Sequence, residues 1–150
     1  MIRGYFSTTG GRNRPYVDGV FQFPGGVTDR SLEVRLLVDT GADRTLISPR
    51  DAGQMVRRLG IDLAALPRGA PGAGVGGQAD TRTIEAVLTL GNFSVRLTLP
   101  ILEPPPGPLP PIPSLLGRDI ISHFALFMEE RTNRVLLLEP HEADPLNIPS

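Results

Sequence analysis

The chain has 150 residues, 40% of them hydrophobic, and sets 15 basic against 16 acidic side chains for a formal charge of -1. That suffices for one globular domain with its own core, and so balanced a charge creates no field to gather nucleic acid or an anionic membrane, so neither is an expected partner. With no cysteine, disulfides, thiol catalysis and sulfur-bound metals are excluded, and a cytoplasmic location is compatible with the composition. No stretch approaches the roughly 20 apolar residues of a membrane span, and Met1 to Arg14 is polar and Gly-rich, unlike a signal peptide. The chain reads as a soluble domain, whether by itself or as part of a longer, anchored protein.

In chain order, the 17 Gly and 16 Pro punctuate short apolar runs, the pattern of an all-β domain. Tyr16 to Phe23 is the first predicted strand, followed by the turn Pro24-Gly25-Gly26 and a second strand from Leu32 to Val38. Ser48-Pro49-Arg50-Asp51 starts a helix: Ser48 caps, Pro49 suits the first position, and Asp51 stands three residues after the cap. Ala52, Met55, Val56 and Leu59 then share a core-facing stripe, and Gly60 ends it.

Ile84, Ala86, Leu88 and Leu90 alternate on one strand, and Phe93, Val95, Leu97, Leu99 and Ile101 on the next, across Gly91-Asn92, which predicts a hairpin. Pro104 to Pro113 holds seven prolines in ten positions. So many missing donors require an extended surface loop, either a rigid spacer or a ligand for an aromatic groove. Ser114-Leu115-Leu116-Gly117 leads into a short helix around Arg118 to His123, and the runs Phe124 to Met128 and Val135 to Leu138 flank the turn Arg131-Thr132-Asn133. The expectation is a single all-β domain over residues 1–150, with a core from about 16 to 139, flexible tails and one or two short helices.

Leu36-Leu37-Val38-Asp39-Thr40-Gly41-Ala42 puts a carboxylate where an apolar strand meets a tight turn; read from the residues alone, a plain turn aspartate is the alternative. The run Leu37 to Asp43 resembles the Asp-Thr-Gly-Ala-Asp signature of retropepsin-like aspartic proteases. Further similarities follow in that family's order. Gly74-Val75-Gly76-Gly77-Gln78 resembles the glycine-rich flap tip, Leu115 to Ile121 the segment that crosses behind the active-site turn, and Asn133 to Leu138 the closing strand. The order from flap to end is similar to the protease domain of DNA-damage-inducible ubiquitin shuttle proteins, and the resemblance spans about Tyr16 to Glu139. It implies a closed, barrel-like sheet.

The resemblance also implies a chemistry. Hydrolysis of a peptide bond by water needs one carboxylate to take a proton and a second, protonated, to polarise the carbonyl. One chain supplies a single Asp-Thr-Gly, so the implied enzyme is a homodimer acting on peptide or protein substrates, with no cofactor and no metal. Its two Asp39 carboxylates would share one proton and titrate as a coupled pair. Asp39, Thr40 and Gly41 would be catalytic, Thr40 linking the two active-site loops and Gly41 leaving room for substrate. Ala42, Asp43, Gly74, Val75, Gly76 and Gly77 would bind substrate, and Arg118 and Asp119 would support the site, Arg118 by pairing with Asp43. Where viral relatives interleave terminal strands, Pro140 to Ser150 carries three prolines, which resist such pairing.

Plainer readings stand beside these. Arg118 and Asp119 could be a solvated helix start, and Gly74 to Gly77 a linker. His123 and His141 lack spaced partners for a metal, and no serine lies in Gly-x-Ser-x-Gly. A catalytically inactive peptide-binding or dimerisation module with the same fold is the main alternative function. Aspartyl-phosphate chemistry would call for Asp-x-Asp or Asp-Lys-Thr-Gly with Mg²⁺ ligands, and Gly41 breaks that pattern.

Overall fold

The computed structural model describes residues 1–25, 30–70, 72–74, 77–109 and 111–149, with the side chains of 71–79 outside the description. Strands β1 (Ile2–Ser7), β2 (Arg14–Phe23) and β3 (Arg30–Val38) lead to helix α1 (Pro49–Leu59). Then come β4 (Gly72–Gly74), β5 (Gly77–Ala79), β6 (Thr81–Leu90), β7 (Phe93–Leu102) and β8 (Ser114–Leu116). Helix α2 (Arg118–Ile121), β9 (Ala125–Glu129), β10 (Arg134–Leu138) and α3 (Pro140–Ala143) complete the order. The fold is all-β with short helices. No helix among the described residues is long and apolar enough to cross a membrane.

Alternation builds the core. On β2, Val17, Phe21 and Phe23 are buried, and on β3 so are Leu32, Val34, Leu36 and Val38, each set pointing to one side of its strand. The β6–β7 hairpin keeps an unbroken register from Thr81↔Leu102 to Leu90↔Phe93. Gly91 takes φ +55 at its turn, a backbone conformation that glycine enters without strain. Ala86, Leu88, Leu90, Leu99 and Ile101 from this hairpin are fully buried.

Two expectations need correction. Residues 2–7, expected as part of a flexible tail, form β1, which pairs through Ile2↔Leu137 with β10 and then through Tyr5↔Tyr16 with β2. Gly4 makes the switch of partner possible, because a Cβ there would lie 2.2 Å from the Tyr16 carbonyl oxygen. The C-terminal side is ordered too: Glu139 and Glu142 form a reciprocal capping box at the start of α3. The main sheet follows β7-β6-β2-β1-β10-β9, with β3 pairing β2 and β8 pairing β3. Isolated bridges, Leu46↔Leu115 and Ile47↔Ile101, link β8 to β7 through the returning chain. Second, α1 runs over the predicted residues with Ser48 and Gly60 as its caps, yet Val56 is 44% exposed. Burial concentrates at Pro49, Ala52 and Met55, and Leu59 packs partly against the core.

Candidate active site

The site is organised where β3 ends. Strand β8 lies parallel to β3, with Leu36↔Ser114, Leu37↔Leu115 and Val38↔Leu116 in register. The chain leaves β3 at Asp39 and returns along the other side of β8, where Leu46 and Leu115 exchange both backbone hydrogen bonds at 3.1 and 3.0 Å. A three-residue strand is thus held on two sides, and the turn between those sides carries Asp39-Thr40-Gly41.

Backbone groups fasten the turn at each step. The Asp39 N–H donates to the Leu116 carbonyl at 3.0 Å, Arg118 N–H to Ala42 O at 2.8 Å, and Asp119 N–H to Asp43 O at 3.2 Å. The Asp39 side chain is half-buried, and Thr40 and Gly41 are exposed. One carboxylate oxygen of Asp39, Oδ1, accepts the Gly41 N–H at 2.9 Å, which orients the group over its own turn. A Cβ at Gly41 would sit 3.2 Å from that oxygen, so the glycine spares the carboxylate a crowded contact.

Beneath the turn lies a polar knot. Asp119 Oδ1 accepts the Thr45 N–H at 2.9 Å, the Thr45 hydroxyl at 2.8 Å and the Ile120 N–H at 2.9 Å. Thr45, fully buried, in turn accepts the Gly117 N–H on its hydroxyl oxygen at 3.0 Å. Gly117 is required by proximity, since a Cβ there would lie 2.4 Å from the Arg44 carbonyl carbon. Arg118 reaches Asp43 through its guanidinium, an ion pair between side chains that are 59% and 79% exposed. Thr45 had no sequence signal: a threonine four residues past Gly41 is unremarkable until the fold buries it.

Of the glycine-rich segment, β4 and β5 form a small antiparallel hairpin with Gly74↔Gly77 as its last described pair. Val75 and Gly76 lie outside the described residues. The base of this hairpin is tied to β6, with Gly69 N–H donating to Thr81 O at 2.9 Å and the Thr81 hydroxyl to Ala70 O at 2.5 Å.

The histidines stand apart from the Asp39 turn. His141, expected to lack partners, has Glu139 and Glu142 close by, the ligand atoms of all three lying within 4.8 Å of one another. The cap residue folding back over α3 brings them together, and both carboxylates are engaged in the capping box. A depression of about 460 Å³ is lined by Phe93, His123, Phe124, Glu139, Pro140 and His141, and no residue of the Asp39 turn lines it.

The sequence matches the aspartyl protease family over residues 24–120. Among solved structures, EIAV protease complexed with an inhibitor is similar with a TM-score of 0.51 at 20% identity, over 73% of this chain and 86% of that one. A retropepsin-like aspartic protease from Rickettsia conorii is similar with a TM-score of 0.56 at 16% identity, over 91% of this chain and 88% of that one. No curated protein matches. The structural likenesses establish a shared fold, and the family match takes in the Asp39 turn, the β6–β7 hairpin and the start of α2 across more than half of the sequence. The chain belongs to the aspartyl protease family and has the retropepsin-like fold.

Proposed function

We propose that the chain is a homodimeric aspartic endopeptidase in which one Asp39 from each protomer forms the catalytic pair. The observation that carries this reading is the Asp39 turn: a half-buried carboxylate at the end of a core strand, gripped by its own loop through the Gly41 N–H at 2.9 Å. One ionised carboxylate takes a proton from water while the other, protonated, donates to the scissile carbonyl; the water oxygen attacks the carbon and the leaving nitrogen receives a proton.

Pairing supplies the second acid. Strand β9 pairs with β10 alone among the described residues, and Phe127 and Met128 on it are 39% and 45% exposed. An apolar edge strand of this kind is suited to a second chain. Thr40 then links the two turns, Ala42 and Asp43 contact the substrate backbone, and the hairpin from Gly74 to Gly77 serves as a flap whose glycine amides meet substrate carbonyls. Arg118 and Asp119 support the turn from behind.

The test is cleavage of a peptide library, at mildly acidic to neutral pH, by the wild-type chain and by Asp39→Asn. Cleavage by the wild type alone is expected. Equal cleavage by both, or none from a verified wild-type dimer at any pH, rejects the enzyme in favour of a binding module.

A further inference from the structure

Strand β8 has a weakness built into its sequence. It is three residues long, and the ten positions before it contain seven prolines, which bring few N–H groups to extend a ladder. Fraying that begins in the proline loop would reach Leu116, and with it the carbonyl that holds the Asp39 amide, within one turn of chain. Ser114, opposite Leu36 of β3, is the first residue of the ladder to meet it.

We propose that Ser114 and Asp51 form a clasp that positions Asp39, isolating its turn from the proline loop. The Ser114 hydroxyl donates to Asp51 Oδ2 at 2.5 Å and accepts the Ser48 N–H at 2.9 Å. Ser48 caps α1, accepting the Asp51 N–H at 3.2 Å, and its hydroxyl lies 3.3 Å from the same Asp51 oxygen. Ser48 and Ser114 are each 1% exposed and Asp51 is half-buried, so the Ser114 hydroxyl, held between two partners, is costly to displace. Ile47, next to Ser48, is itself fixed by bonds to Pro100 and Leu102 of β7 at 2.9 and 3.0 Å. The first turn of α1 therefore ties the first residue of β8 to the β6–β7 hairpin. Two residues on, Leu116 delivers that rigidity to Asp39.

Ser114 and Asp51 are positioning residues: they touch no substrate and act through β8. Their catalytic consequence rests on the proposed peptidase reading, but their effect on the Asp39 amide does not, so the two can fail separately. The measurement is residue-resolved hydrogen exchange of the wild type, Ser114→Ala, Ser114→Thr and Asp51→Ala. In Ser114→Ala the amides of Asp39 and Leu46 are expected to exchange roughly tenfold faster, as loss of a partly buried hydrogen bond to a carboxylate implies, with the β6–β7 amides unchanged. Ser114→Thr, which keeps the hydroxyl, should restore protection, and Asp51→Ala should reproduce the loss should Ser114→Ala not fold. With a cleavable peptide in hand, kcat should fall with KM held. Unchanged exchange at Asp39, or acceleration of all amides together, overturns the clasp; selective acceleration in a chain that cleaves nothing supports the clasp and removes the peptidase.

Discussion

Thr45 and Asp119, 74 residues apart, are joined twice, the carboxylate of one accepting both the backbone N–H and the hydroxyl of the other at 2.9 and 2.8 Å. That double bond sets the depth of the turn holding Asp39, because the Thr45 hydroxyl also receives the Gly117 N–H. Removing the carboxylate in Asp119→Ala strands two donors of a fully buried residue. The expected loss is about 2 kcal/mol, since each unsatisfied buried donor costs of that order and part of the site can rehydrate. A urea midpoint equal to that of the wild type would show that the bond is ornamental.

Gly117→Ala should be at least as damaging for a different reason. The new methyl group would overlap the Arg44 carbonyl carbon at 2.4 Å, and backbone cannot rotate away as a side chain can. β8 and the returning chain must separate, at about 3 kcal/mol by analogy with overpacked cores. Thermal unfolding checks it.

Gly41→Ala separates function from stability. The residue is exposed, and the added Cβ meets only Asp39 Oδ1 at 3.2 Å. Stability should change by no more than about 0.5 kcal/mol, while peptide cleavage should fall sharply because the displaced group is the proposed catalytic carboxylate. A fall in stability that matches the fall in cleavage would contradict this assignment.

Much of this was legible beforehand. The β6–β7 hairpin and α1 were readable because their periodicities and caps are local, and the family because its signature sits in three adjacent residues, Asp39-Thr40-Gly41. What escaped notice is nonlocal. β1 depends on Gly4 slipping past Tyr16, and nothing near Gly4 in sequence announces that contact. The resemblance marks Asp119 as support for the site, but nothing local names the Thr45 that it binds, 74 residues away. Val56 fits the apolar stripe of α1, yet it is exposed while Leu59, later on the same stripe, packs against the core.

Acid should weaken the β9–β10 hairpin through Glu129. The Thr132 hydroxyl, at 2.6 Å, and then Arg134 hold its carboxyl below the usual value. The folded state thus favours the charged form: the contribution is present above the unfolded-state pKa and lost as pH falls through the lower, folded one. Glu129→Gln should narrow the difference in urea midpoint between neutral and strongly acidic pH. The same pH dependence in wild type and variant would refute the attribution.

The central claim, that two copies of Asp39 build one active site, is tested most directly by mixing subunits. Wild-type and Asp39→Asn chains are combined at fixed total concentration, allowed to exchange, and assayed for peptide cleavage. A shared site predicts activity falling with the square of the wild-type fraction, because a mixed dimer lacks one of its two acids. Activity falling in simple proportion to the wild-type fraction would mean that each chain works alone, and would contradict the account.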